Sequence, residues 1–167
     1  MLFQPKEKGF TLVELLVVIA IVAILAGAVL IAINPATMMQ KARDSRRLGD
    51  MDTLVKAMNL AITEGEITLA TMAAATTSAQ ATAQVVDGTG WIRFAIPATK
   101  TGLSKYVAAL PLDPTNTGSN VYSFQSTLTD FEMDAVLEHA DNAIKMTTDG
   151  GNSATKYEVG TSLTITN

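Results

Sequence analysis

Between Leu15 and Ile33 the chain runs for nineteen residues without a charge, in the stretch LLVVIAIVAILAGAVLIAI. Wound as an α-helix, at about 1.5 Å per residue, this run is roughly 29 Å long, close to the thickness of a bilayer's hydrocarbon core. Three readings fit such a run near an N-terminus. It is a secretory signal peptide cut near Ala26-Gly27-Ala28, a plain membrane anchor, or a span behind a short leader that ends at Gly9.

The residue that separates the three is Glu14, the one acid between Gly9 and Ile33. An ionised side chain at the centre of a membrane helix costs about 2.5 to 3.5 kcal/mol on the insertion scale, and less towards the ends. An ordinary signal or anchor has no use for it. A cut between Gly9 and Phe10 would create an ammonium four residues before Glu14. At about 4 Å such a pair is worth roughly 4 kcal/mol at an effective dielectric near 20, comparable with the insertion cost. The partner ammonium can be the chain's own or a neighbouring subunit's.

The residues that carry this argument, KGFTLVELL from Lys8 to Leu16 followed by an apolar helix, resemble the N-terminal signal of bacterial type IV prepilins and of the pseudopilins of type II secretion. The resemblance covers about the first third of the chain. It implies a leader, residues 1–9, removed after Gly9 by a membrane prepilin peptidase that also N-methylates Phe10. It implies that Glu14 pairs with a neighbouring N-terminus as subunits join into a homopolymer through their N-terminal helices. The precursor would sit in the inner membrane, single-pass with its head outside the cytoplasm, beside pilus or secretion assembly machinery, and the filament would be periplasmic or extracellular. Charge does not settle the orientation, because Lys6 and Lys8 precede the span while Lys41, Arg43, Arg46 and Arg47 follow it closely.

Past the span, Asn34-Pro35 predicts a helix break, since proline lacks a backbone donor and disfavours helix at the residue before it. Residues 34–64 then read as an amphipathic helix. Met51, Leu54, Val55, Met58, Ala61 and Ile62 recur at helical spacing, Leu48 extends the stripe backwards, and Gly65 marks the end. Lys41, Arg43, Arg46 and Arg47 are expected mostly on the solvated face, the alternative being salt bridges between a basic neck and the acidic head of another subunit. The head, residues 65–167, opens with a low-complexity Ala/Thr/Gln connection that is either a weak second helix or an exposed loop. Trp91 is expected as a core anchor, Leu103–Leu110 as a short helix, and strands at Val121, Phe131, Lys156 and Ser162. In FEMDAVL the apolar residues alternate with acids, which predicts one wet face. The fold class is α+β by segregation of elements, and it resembles the pilin fold, a long N-terminal helix whose second half packs on a small antiparallel sheet.

Composition narrows the function. Residues 41–56 carry five Lys/Arg against three Asp, and everything after Ala57 carries five against eleven acids. An acidic head does not suit nucleic acid. With no cysteine there is neither a disulfide framework nor a thiolate metal site. The lone His139 has no partner motif, no nucleophile elbow or phosphate loop can be read, and an enzyme is not indicated. Two turns gather oxygen ligands of the kind calcium takes, Asp113 with Asn116 and Asp149 with Asn152, although ordinary turn chemistry accounts for both. Three functions remain: a structural subunit of a type IV pilus-like filament, a type II secretion pseudopilin, and a membrane-anchored binding module that does not polymerise.

Overall fold

A computed structural model describes residues 9–166, apart from the side chains of residues 31 and 32. The chain divides into two compact units, one up to Met39 and one from Gln40 onward. Helix α1 covers Leu12–Ile33 and helix α2 covers Pro35–Thr63. Between them stands one residue, Asn34, in the left-handed region at φ 44° and ψ 81°, which asparagine tolerates better than most side chains. Pro35 opens α2 at the position where its missing N–H costs nothing, and the Asn34 carbonyl accepts from the Thr37 N–H at 3.1 Å and the Thr37 hydroxyl at 2.9 Å.

The far end of α2 closes on a Gly-based cap. The Glu66 N–H donates back to the Ala61 carbonyl at 2.8 Å and the Gly65 N–H to that of Ile62 at 3.1 Å, with Gly65 at φ 64°. This pair of bonds satisfies two carbonyls that the helix end leaves open, and it needs a left-handed residue at the glycine.

The second unit holds a four-stranded antiparallel meander in the order β1-β2-β3-β4, formed by Thr76–Thr77, Ser123–Ser126, Phe131–Ala135 and Tyr157–Gly160. Its register sets Phe124 opposite Met133 and Met133 opposite Val159. Because strand side chains alternate, Phe131, Met133 and Ala135 share one face. That face joins Met51, Leu54, Met58 and Ala61 of α2, with Trp91, Leu103, Leu110 and Tyr122, in a single buried cluster. The helix and the sheet are the two layers of the head, and the α+β pilin-type arrangement read from the sequence is the one observed. Trp91 is a core anchor, fully buried with its indole N–H donating to the Pro111 carbonyl at 3.0 Å and its ring 5.8 Å from that of Tyr122.

Several expectations need correction. The face of β3 that carries Glu132 and Asp134 is not wet, because all five residues of the strand are buried. Its cover is the segment expected as a last strand. Residues 162–166 are not a strand; instead the N–H groups of Ile165 and Thr166 donate to the Glu132 carboxylate at 2.6 and 3.1 Å, so a side chain takes the bonds a neighbouring strand would have taken. The helix expected over Leu103–Leu110 is one 3-10 turn, Gly102–Lys105, since the Leu110 N–H is drawn to the Gln84 carbonyl. The low-complexity connection is no helix. It contributes β1, held by Ser78, whose N–H donates to the Tyr122 carbonyl and whose hydroxyl accepts from the Tyr122 N–H. A short helix α3, Ala143–Thr148, had no sequence signal.

The core makes a direct prediction. Met58 has no exposed surface, so Met58→Ala removes buried contacts and leaves a cavity, with an expected loss of about 2 to 5 kcal/mol. Denaturant unfolding of the full chain in detergent, followed by tryptophan fluorescence, measures it. A loss under half a kcal/mol, on the order of a surface substitution, would mean that α2 is not packed on the sheet as described.

Candidate functional site

The expected processing site lies at the start of α1. Residues 1–8 of the leader fall outside the described residues. Gly9 is exposed, a Cβ built on it meets nothing among the described residues, and its backbone is not left-handed. Phe10 is 87% exposed. Thr11 is the N-cap of α1, and here Glu14 has a local task. Its carboxylate accepts the Thr11 N–H and the Thr11 hydroxyl, each at 2.8 Å, while the Glu14 N–H donates to the Thr11 hydroxyl oxygen at 3.2 Å. This is a capping box, which satisfies donors that the first turn leaves open. Its pattern, Thr-x-x-Glu, stands in the sequence, although the membrane argument above does not use it. From Leu12 to Leu30 the helix is long and apolar enough to cross a membrane, and its side chains are exposed.

The head is organised around a buried guanidinium. Arg47 has no exposed surface. Its Nε and Nη2 donate to the two oxygens of Asp113 at 2.6 and 2.8 Å, its Nη1 donates to Asp44 at 3.0 Å, and its Nη2 lies 2.6 Å from Glu138. Arg43 pairs with both Glu138 oxygens. The buried Asp44 accepts from the backbone N–H of Glu138 and of His139 and from the Asn142 side chain, between 2.8 and 2.9 Å. Burial works to raise the Asp44 carboxyl, but these three donors and Arg47 outweigh it and hold it below the usual range. Of the neck's basic residues Lys41 and Arg46 are on the solvated face as expected, Arg43 is half-buried, and Arg47 departs from the expectation. Arg47 points inward, and the basic neck meets the acidic head of its own chain, with Lys41 bonded to Asp141 at 2.8 Å.

The two oxygen-rich turns are engaged within the chain. Asp113 gives both oxygens to Arg47, and the Asn116 side chain exchanges bonds with Ser78, accepting from its hydroxyl at 2.7 Å and donating to its carbonyl at 3.1 Å. Asp149 accepts the N–H groups of Gly151 and Glu158 at 3.0 and 2.8 Å, and Asn152 donates to the Thr166 carbonyl at 3.1 Å. His139 caps the 3-10 turn before α3 by accepting the Asp141 N–H at 3.1 Å.

Sequence reasoning missed one further constellation. Glu132, Asp134 and Glu158 bring their carboxylates together on the outer face of the sheet, each at most 1% exposed. The register explains it, since Asp134 faces Glu158 across β3 and β4 and Glu132 lies two residues along the same face. Burial pushes the Asp134 and Glu158 carboxyls up. Burial acts on Glu132 too, but the Thr166 hydroxyl and the N–H groups of Ile165 and Thr166 overcome it and its carboxyl is lowered.

Residues 4–30 match the family model described as the prokaryotic N-terminal methylation motif. The chain carries a prepilin signal. This is the signal shared by type IV pilins and pseudopilins, and it implies a precursor handled by a prepilin peptidase and by membrane assembly machinery. The prepilin signal and the apolar α1 together fit inner-membrane anchoring of that precursor, and they point to a structural protein. No curated protein and no solved structure matches the chain.

The ion cluster predicts a pH response. Arg43 holds the Glu138 carboxyl down at about 2, against the opposing effect of burial and with help from Arg47. In the unfolded chain the value is near about 4.3. The stabilisation from Glu138 is therefore fully present above about pH 4.3 and is lost as pH falls through about 2. Comparing thermal unfolding of the full chain with that of Glu138→Gln should show a stability gap that is widest above about pH 5 and closes towards about pH 2. A gap of constant size would mean that the negative charge is not what Glu138 contributes.

Proposed function

We propose that this chain is a structural subunit of a type IV pilus-like filament, made as a prepilin, cut after Gly9, N-methylated on Phe10 and polymerised through α1. The observation that carries the reading is the methylation motif at residues 4–30 running into an exposed apolar helix. Such a helix is stable in lipid, and on leaving lipid it needs other apolar surface. Bundling many copies of the same helix supplies that surface, so one segment serves first as anchor and then as polymer interface.

The surroundings of Gly9 support the cut. Among the described residues neither space nor backbone conformation asks for glycine at this position, and the missing side chain leaves the backbone open to close approach by a peptidase. Cutting there leaves Phe10 and Thr11 ahead of the first turn and places the new ammonium beside the carboxylate that already closes that turn. Glu14 then holds its own helix end and offers its charge to an ammonium, its own or a neighbour's. The signal does not separate a pilin from a pseudopilin, and both are filament subunits in this reading. A membrane-anchored module that works as a monomer is the competing function.

Coexpression of the full chain with a prepilin peptidase, followed by intact mass and N-terminal sequencing of the membrane-extracted product, should return a chain that begins with methylated Phe10. An uncut chain in the presence of active peptidase would refute the prepilin route. The role of Glu14 is read from two variants. Gln in place of Glu keeps the capping hydrogen bonds and removes the charge, whereas Ala removes both. If the charge sets assembly, Glu14→Gln and Glu14→Ala are both processed and both fail to form filaments in sheared surface or periplasmic fractions seen by electron microscopy. Normal filaments from Glu14→Gln would reduce the acid to a helix cap.

A further inference from the structure

The three carboxylates on the outer face of the sheet carry more negative charge than their surroundings answer. Glu132, Asp134 and Glu158 are buried, and the cation bonded to the group among the described residues is Lys156, 3.2 Å from Asp134. Carboxylates with no exposed surface require paired cations, donors on every oxygen, a bound ion, or a proton that neutralises them. The donors run short. Among the described residues no N–H or hydroxyl donor reaches two buried oxygens, Oδ1 of Asp134 and Oε1 of Glu158. The Thr166 hydroxyl, which has one proton to give, lies 2.5 Å from an oxygen of Glu132 and 2.8 Å from one of Asp134. With both carboxylates ionised, one of those two contacts is left as oxygen facing oxygen.

We propose that Glu132, Asp134 and Glu158 hold one calcium ion on the outer face of the sheet, closed in by the C-terminal segment through Thr166. One oxygen from each carboxylate can be chosen so that all three lie within 4.8 Å of one another, which is twice a calcium–oxygen distance of about 2.4 Å. The donor set is oxygen alone, with no imidazole or thiolate in the group, and it suits a hard cation rather than zinc or copper. The carboxylates come from two paired strands, so the register rather than a loop fixes their spacing.

The surroundings are built to the same end. Gly151 presses on the Glu158 carboxylate so closely that a Cβ there would occupy its place. The Ser153 N–H donates to the other Glu158 oxygen at 2.8 Å, and the Ser123 hydroxyl donates to Asp134 at 3.0 Å. Asn152, in the turn that also holds Asp149, ties down the Thr166 carbonyl. Asp134, Lys156 and Thr166 line a cleft of about 730 Å³, which gives the ion a way in. The site is independent of how α1 assembles.

The test uses the full chain in detergent, stripped of metal with EGTA. Equilibrium dialysis against radioactive calcium should find one ion per chain, and about 1 mM CaCl2 should raise the unfolding temperature by about 5 °C over EGTA, with MgCl2 giving a smaller shift. Asp134→Asn and Glu158→Gln keep the side-chain size and remove charge. They should unfold at or above the wild-type temperature in EGTA and show no calcium response. Absence of calcium binding by the wild-type chain overturns the proposal even if a variant fails to fold. An equal response to magnesium overturns the choice of ion, and a full calcium response in the double variant places the ion elsewhere.

Discussion

A guanidinium with no exposed surface cannot be left without anions, and the head of this protein is arranged around that requirement. Arg47 draws in Asp44 from its own helix, Asp113 from the loop after Pro111, and Glu138 from the chain leaving β3. Two stretches that are far from α2 in sequence are thereby fixed against one of its turns. Asp44 completes the arrangement by accepting backbone N–H groups from Glu138 and His139, which lie beyond the end of β3 and outside its ladder. Breaking one member of such a group leaves buried charge uncompensated, at a cost of about 3 to 5 kcal/mol. Its contribution lies more in fixing which loops meet the helix than in net stability, because a well-packed apolar replacement could be as stable.

The apolar part of the fold was legible because it follows simple periods. The stripe Met51, Leu54, Met58, Ala61 gave the buried face of α2, and the alternation in FEMDA placed Phe131 and Met133 in the core. What was missed also follows those periods, but with charged residues on them. Continued backwards at the same spacing, the stripe reaches Arg47 and Asp44 rather than Leu48, and both are buried. In β3 the acids fall on the second face as expected, but that face is covered. Hydrophobic periodicity reports which side of an element is apolar; it does not report that a charged side has found enough partners to be buried. The C-terminal cover was misread for a related reason, since the N–H groups of Ile165 and Thr166 go to a side-chain carboxylate and leave no trace in a strand pattern.

At the N-terminus the nearest task of Glu14 is a local one. Glu14 was set against the cost of an acid in lipid and the benefit of a new ammonium. The chain as described already uses it to close the first turn of α1 with Thr11. The two roles do not compete, because a carboxylate held at a helix N-terminus is favoured by the exposed N–H groups and by any ammonium that arrives there.

Each of the five basic residues between 41 and 56 lies within 4 Å of a carboxylate of its own chain: Lys41 with Asp141, Arg43 with Glu138, Arg46 with Asp50, Arg47 with three partners and Lys56 with Asp52. Charges closed off in pairs project little field beyond the surface, and what a neighbour senses is the unpaired remainder of a chain whose net charge is −4. Two such heads brought side by side repel, over a range that is about 8 Å in physiological salt and about 30 Å in dilute buffer. How closely these heads can be crowded is thus a property of the dissolved ions as much as of the protein.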